Sequence, residues 1–206
     1  KAENFKWIES LGHHFIPSVP SLFTFNMPNE KVKELMGIVV EKTKTNVQGT
    51  KLKSDGPLLI THWGMSGPGI LRLSAWGARE LADKNYQFAL LVNWLNDVDL
   101  EEAVDVLKNL KEEHTKKTII KKSPFEFPNR LWESLVLASG ISEETKWADL
   151  SKKQINQLAE QLTNGVFQVN GKSTFKEEFV TAGGVDLKEI NFKTMESKLL
   201  PNLYLA

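Results

Sequence analysis

The stretch from residue 56 to residue 83, GPLLITHWGMSGPGILRLSAWGARELAD, contains the three signals that decide the fold. It opens with an apolar run, Leu58 to Ile60, which is too short for a helix and is typical of a buried strand. A loop with three glycines and one proline follows at residues 63–69. From Ile70 to Leu81 apolar residues recur at helical spacing. The stretch therefore predicts a strand, a tight loop and a helix.

The glycine loop has two interpretations. Backbone amides at the start of a helix attract anions, which would make the loop a phosphate site. However, Gly64, Gly67 and Gly69 lack the spacing of the dinucleotide fingerprint, and no Walker A lysine follows them. The alternative, that the glycines serve a tight turn and close packing, is favoured. Ser66 is then the expected helix cap, with Pro68 in the first turn.

His62 and Trp63 stand where the predicted strand ends, directly before the loop. A polar ring and an indole in that position are candidates for lining a substrate pocket, together with Ser66 and Gly67. A packed tryptophan beside a hydrogen-bonded histidine is the simpler alternative, and the residues alone favour it.

The composition indicates a soluble globular protein and argues against several classes of partner. The 206 residues contain 26 basic and 26 acidic side chains, so the zero net charge predicts neither a nucleic-acid nor a membrane partner. Cysteine is absent, which removes disulfides, thiolate metal sites and cysteine nucleophiles. No apolar run approaches the ~20 residues that span a bilayer, so we expect a cytoplasmic protein. Both termini look like cuts within a longer chain.

Strand patterns at both ends of the chain bracket a helical middle, with strands expected at 22–25, 175–179 and 203–206 among others. Residues 39–47 alternate, with one face expected to hold Val39, Glu41, Thr43, Thr45 and Val47. We expect an α+β fold, a β-barrel-like domain interrupted by a small helical-bundle subdomain. Its parts are residues 1–96 (first barrel part with the strand, loop and helix), 97–163 (inserted helical subdomain) and 164–206 (second barrel part).

The helical middle has clear boundary signals. Asp99 with Glu102, and Ser151 with Gln154, have capping-box spacing, and Pro128 is expected to start a further helix. The segment also carries a run of lysines, which is either a solvated face, the favoured reading, or an anion-binding patch: Lys108, Lys111, Lys116, Lys117, Lys121 and Lys122.

A second glycine site lies at Thr181-Ala182-Gly183-Gly184. Adjacent glycines after a strand allow the backbone to approach something flat or bulky, and a β-bulge explains them equally well. The four histidines lack metal-site spacing, and no serine sits in a G-x-S-x-G elbow. The residues alone therefore identify neither a metal site nor a catalytic residue.

Three motifs together resemble a known family. LGHHFIPSVPSLFTF at 11–25, THWGMSGPGILRLS at 61–74 and TAGGVDLKEINFKTMESKLLPNLYLA at 181–206 resemble the bacterial BaiN-like, or aminoacetone oxidase-like, FAD-dependent oxidoreductases. The resemblance implies a β-barrel with an inserted helical subdomain, set between the two halves of an FAD-binding domain. These flavoproteins carry an N-terminal G-x-G-x-x-G, which this chain lacks.

The resemblance implies a middle domain on the substrate side of a flavoenzyme, acting as a lid and inactive by itself. FAD would be bound in the parent protein and not by this fragment, with Thr181 to Gly184 near the flavin as the chain returns to the FAD domain. That FAD-binding domain and an unidentified small molecule are the implied partners. The alternative is an interaction or oligomerisation module, suggested by six tryptophans.

Overall fold

The computed structural model describes residues 6–173 and 180–205. The strands, in chain order, are β1 (Phe15–Ser21), β2 (Phe25–Asn26), β3 (Val39–Val47), β4 (Lys53–Ile60), β5 (Gly64–Ser66), β6 (Gln87–Asn93), β7 (Gly165–Asn170), β8 (Val180–Val185), β9 (Ile190–Asn191) and β10 (Glu196–Ser197). The helices are α1 (Lys6–Ser10), α2 (Pro68–Trp76), α3 (Ala78–Asp83), α4 (Leu100–Glu113), α5 (Asn129–Ala138) and α6 (Lys152–Thr163). The α+β class predicted from the sequence is confirmed.

Six antiparallel strands form a barrel-shaped sheet in the order β2-β5-β4-β3-β6-β7. The sheet curls until its two edges meet, where the Asn26 amide donates to the Gly171 carbonyl oxygen at 3.0 Å. Side chains that point inward are fully buried, among them Phe25, Leu58 and Leu90. Closing a sheet in this way removes exposed strand edges, and it places the apolar residues of every strand in one core.

A β-bulge changes which residues of β3 face the core. The sequence predicted Val39 on the same face as Thr43, Thr45 and Val47, but Val39 is 41% exposed and Val40 is buried. The register of β3 on β4 shifts between Val40 and Thr43. One extra residue in a strand reverses the alternation beyond it, because side chains alternate with a period of two.

The helix expected from Ile70 to Leu81 is two helices, α2 and α3, separated at Gly77. Glycine favours such a break because it is a poor helix former. Pro68 lies in the first turn of α2, as predicted. The predicted cap was wrong: Gly67 is the cap residue, and Ser66 is the last residue of β5.

Helices α4, α5 and α6 lie between β6 and β7 in the chain, although these two strands are neighbours in the sheet. Both predicted capping boxes are present, at Asp99 with Glu102 and at Ser151 with Gln154. Pro128 precedes α5 as predicted. The buried side chains of these helices and of the barrel form one continuous apolar cluster, in which Trp94 of the segment after β6 takes part.

A two-stranded ribbon, β1 with β8, stands beside the barrel. Of the strand predicted at residues 22–25, only Phe25 lies in a strand, at the start of β2, and the chain between β1 and β2 bends at Leu22. Pro17 and Pro20 are compatible with β1 because it has β8 on one side only. The predicted strand at the C-terminal end is reduced to one bridge, between Tyr204 and Glu196. The predicted strand at 175–179 lies outside the described residues.

Among the helices of the described residues, none has the length and apolar character needed to cross a bilayer.

Candidate functional site

The loop between β4 and β5 holds the first set of predicted site residues. It closes through mutual hydrogen bonds, in which the Thr61 amide donates to the Gly64 carbonyl oxygen at 2.8 Å. His62 is exposed, and its ring meets Trp63 edge-on at 4.1 Å between centroids. The Trp63 carbonyl oxygen accepts from the Met27 amide at 2.8 Å, which joins the loop to the chain after β2.

The glycines of this loop pack against the protein's own backbone. A Cβ built on Gly64 would lie 2.2 Å from the Phe25 carbonyl oxygen. One built on Gly67 would lie 2.8 Å from the Pro57 carbonyl oxygen. Close packing between strands is therefore sufficient to explain both glycines.

The second predicted set, Thr181 to Gly184, lies on β8. A Cβ on Gly183 would lie 2.7 Å from the Ser18 Cα, so this glycine is needed where β8 crosses β1. The pairing of β1 with β8 is irregular between Ile16 and Val19, on the part of β1 that lies opposite Gly183. Gly184 faces open space. At Gly64, Gly67 and Gly183 the space a side chain would take is thus filled by this chain's own backbone.

The two predicted sets lie in different sheets, and helices α2 and α3 link them. Arg79 on α3 donates through Nη1 to the Pro17 carbonyl oxygen at 3.1 Å and through Nη2 to the Ala182 carbonyl oxygen at 3.5 Å. On α2, the Ser74 hydroxyl accepts from the Phe23 amide at 2.9 Å. The ribbon is therefore attached to the helix pair that begins at the glycine loop.

A buried polar network that the sequence analysis missed joins the two ends of the described chain. His13 is 3% exposed, and its Nδ1 lies 2.8 Å from the Glu189 carboxylate while its Nε2 lies 3.0 Å from the Ser197 hydroxyl. The Ser197 hydroxyl also accepts from the amides of Leu199 and Leu200. No local pattern signals this network, since its members lie far apart in the sequence.

The order serine, histidine, carboxylate is that of a hydrolase triad. The Ser197 oxygen, however, is buried and already accepts two backbone N–H groups, so its lone pairs are not free to attack a substrate. The network instead joins the chain before β1 to the segment after β8.

We predict that His13→Ala lowers the free energy of unfolding by about 2 kcal/mol, because Glu189 and Ser197 each lose a buried partner. Urea denaturation followed by circular dichroism measures this. His14→Ala is the matched control, since His14 is exposed and contacts Glu189 through its backbone amide only. Equal stability losses in the two variants would contradict the assigned role.

Four of the six lysines of the helical segment line one cleft of about 640 Å³, with His114 and Trp147 among the other lining residues. They are Lys116, Lys117, Lys121 and Lys122. No carboxylate is among the described residues that line it. Lys108 is paired with Asp105, and Lys111 donates to the Leu150 carbonyl oxygen. The described residues include no group of three or more histidine, aspartate or glutamate side chains placed to hold a metal ion.

Residues 19–180, the greater part of the chain, match the protein family described as "HI0933-like protein barrel and H2TH domain". The chain belongs to this family. The HI0933-like match begins within β1 and ends at the first residue of β8, so it spans the barrel and the three helices α4 to α6.

Three relatives resemble this HI0933-like domain along almost its whole length. The ribosomal RNA dihydrouridine synthase of Escherichia coli is 32% identical over 97% of the chain and 48% of its own length. That of Haemophilus influenzae is 31% identical over 95% of the chain and 46% of its own length. The 3-dehydro-bile acid delta(4,6)-reductase of Clostridium scindens is 23% identical over 96% and 48%. The chain thus spans about half the length of the curated relatives it matches.

Proposed function

We propose that this chain is the substrate-side domain of an FAD-dependent oxidoreductase that reduces uridine in ribosomal RNA to dihydrouridine. The observation that carries the proposal is the similarity to two ribosomal RNA dihydrouridine synthases, at 32% and 31% identity over nearly all of the chain. Of the BaiN-like resemblance we retain only the relationship to flavoproteins. We do not retain the narrower assignment, because the bile-acid reductase is a more distant relative at 23% identity.

The ribbon supports the role of an inserted domain. An insertion needs its incoming and outgoing chain segments side by side. Strand β1 and strand β8 run antiparallel, with Phe15 opposite Val185 and Ser21 opposite Val180. The Asp186 amide donates to the His14 carbonyl oxygen at 2.9 Å, and the His13 network continues this contact. Both segments thus leave the barrel at one place, where a flavin-binding domain of the same protein would join them.

The domain is proposed to act with FAD bound by residues outside these 206. The glycines at Gly64, Gly67 and Gly183 are occupied by this chain's own backbone, which leaves no described cradle for a dinucleotide. Thr181 to Gly184 remain the candidates for contact with the flavin, because β8 lies at the proposed junction. By itself the chain is expected to be inactive.

The proposed RNA substrate differs from the sequence-based expectation, in which a net charge of zero predicted no nucleic-acid partner. A total of zero hides the distribution of charge, and phosphate recognition depends on local clusters of lysine and arginine. The four lysines of the cleft beside the end of α4, with no described carboxylate lining it, are one such cluster. Of the six tryptophans that suggested an oligomerisation module, Trp94, Trp132 and Trp147 are in the core, whereas Trp7 and Trp76 are exposed.

The test uses the full protein that carries this chain. We expect the purified protein to show the visible absorption of bound flavin. With NADH or NADPH as reductant, the protein should convert uridine to dihydrouridine in ribosomal RNA taken from cells that lack this protein. Mass spectrometry of the nucleosides measures the product. Bound flavin without any dihydrouridine would overturn the RNA substrate, and reduction of a steroid enone in its place would favour the bile-acid reductase relationship. A protein free of flavin would overturn the oxidoreductase role.

A further inference from the structure

A second cleft, here called the Trp76 cleft, opens on the outer face of the barrel. It has a volume of about 660 Å³ and lies between β3, β4 and β6 and the ends of α2 and α6. Its lining combines one aromatic ring with lysine, asparagine and hydroxyl side chains, principally Trp76, Lys44, Lys51, Lys53, Asn46 and Asn164. No residue of β1 or β8 is among the described residues that line it.

Trp76 contributes little to the core. It is 69% exposed at the last position of α2, whereas Ile70 and Leu73 on the same helix are fully buried. A flat indole exposed to this extent, above a cleft, is a surface on which another flat ring can stack. Nothing in the packing of α2 requires a ring at this position.

Two lysines of the cleft are available to an anion. Lys44 is paired with Asp97, and Asp55 faces Arg72 at 3.6 Å. Lys51 and Lys53, both exposed on the β3–β4 hairpin, form no ion pair with any described carboxylate. A phosphate placed at this hairpin would therefore meet two unneutralised ammonium groups.

The cleft also contains an amide without a partner. The Asn46 amide oxygen is buried, and no described group donates to it. The Asn93 amide, in contrast, is used within the protein, since it donates to the Val98 carbonyl oxygen and accepts from the Leu95 amide. The Asn46 oxygen would thus accept a hydrogen bond from a donor on a ligand that reaches it within the cleft.

These groups together are what single-stranded RNA requires: an aromatic platform for a base and cations along the phosphates. A protein partner fits the lining less well, because lysine is depleted at protein interfaces. Resting on the proposed RNA substrate, we infer that the Trp76 cleft binds a single-stranded segment of that RNA, with one base stacked on Trp76 and the adjacent phosphates at Lys51 and Lys53.

The experiment measures binding of a fluorescein-labelled single-stranded oligoribonucleotide to the full protein by fluorescence anisotropy. Trp76→Ala is expected to raise Kd about tenfold, the effect of losing one stacked base, and Trp76→Phe to retain most of the affinity. The double variant Lys51→Gln/Lys53→Gln should lower the slope of log K against log salt by about 1.4, as expected for two lost phosphate contacts on a single strand. Circular dichroism verifies that each variant is folded.

The matched control is Lys152→Gln/Lys153→Gln, which removes the same charge from two exposed residues that line neither lysine-containing cleft. It is expected to leave Kd within about twofold, because these residues start α6, whereas that helix lines the Trp76 cleft at its other end, at Thr163. Equal losses in the two double variants would mean that RNA follows overall charge and would overturn the inference. Unchanged affinity in Trp76→Ala would do the same. The inference would also be overturned if acrylamide failed to quench the fluorescence of Trp76 in the RNA-free protein, since the cleft would then be covered by protein.

The inference and the proposed function fail separately. A protein that forms dihydrouridine with the same KM for RNA in Trp76→Ala and wild type would overturn the cleft and leave the function intact. A wild-type protein that forms none, yet binds the oligoribonucleotide through Trp76, would support the cleft and overturn the function.

Discussion

Trp132→Ala is expected to lower the free energy of unfolding by about 4 kcal/mol. The indole is fully buried at the centre of the helical segment, and it stacks on Trp147 with 6.2 Å between ring centroids. It also meets Phe125 edge-on at 5.8 Å and donates through Nε1 to the Ile119 carbonyl oxygen at 2.8 Å. Alanine would leave a cavity among rings that cannot collapse easily, together with an unpaired carbonyl.

Two further variants separate these contributions in urea denaturation. Trp132→Phe keeps a ring against Trp147 and loses the hydrogen bond to Ile119, so we expect a smaller loss of about 1–2 kcal/mol. Leu137→Ala on the same helix is the surface control, because that side chain is 44% exposed. We expect it to lower the free energy of unfolding by less than about 1 kcal/mol. A loss in Trp132→Ala no larger than in Leu137→Ala would contradict the packing described for α5.

Gly64→Ala is the second change with a large expected effect, a loss of about 3 kcal/mol in the free energy of unfolding. The added Cβ would lie 2.2 Å from the Phe25 carbonyl oxygen and 3.0 Å from the Met27 amide nitrogen. Phe25 belongs to β2, which pairs with β5, and the Met27 amide donates to the Trp63 carbonyl oxygen, so neither atom can move without breaking this part of the barrel. Thermal unfolding followed by circular dichroism would show the loss as a lower Tm.

Gly140→Ala is the control for Gly64. Gly140 follows α5 with φ of +71°, and a Cβ there has no neighbour within 4 Å. Alanine at this position meets only the strain of the left-handed conformation, about 1 kcal/mol. A Tm for Gly64→Ala that matches that of Gly140→Ala would show that β2 and β5 can separate, and it would remove the packing explanation for the glycine loop.

Local signals were the most successful part of the sequence analysis. The capping boxes at Asp99 and Ser151 were predicted correctly because each depends on two residues three positions apart. Pro68 and Pro128 marked helix starts for the same reason, since proline restricts its own φ and lacks an N–H. Such features are decided within one turn of the chain, and the tertiary structure only preserves them.

Signals that depend on a neighbouring strand were less successful. Thr43, Thr45 and Val47 share the buried face of β3 as predicted, but the bulge after Val40, which depends on the register with β4, puts Val40 on that face instead of Val39. Of the strand predicted at 22–25, only Phe25 lies in a strand, β2, whereas the longer strand of this region is residues 15–21, which pair with β8. The assignment of His62, Trp63, Ser66 and Gly67 to a substrate pocket, and of Thr181 to Gly184 to the flavin, remains a prediction.

The sequence by itself determined the α+β class, a helical segment between β-rich parts of the chain and the starts of its helices at Asp99, Pro128 and Ser151, because periodicity and capping act over a few residues. The tertiary structure decided what lies together. His13, Glu189 and Ser197 become one network only because β1 pairs with β8. Lys51 and Lys53 meet Trp76 only because the β3–β4 hairpin lies beside the end of α2. A net charge of zero could not reveal that cleft, since charge totals carry no information on distance.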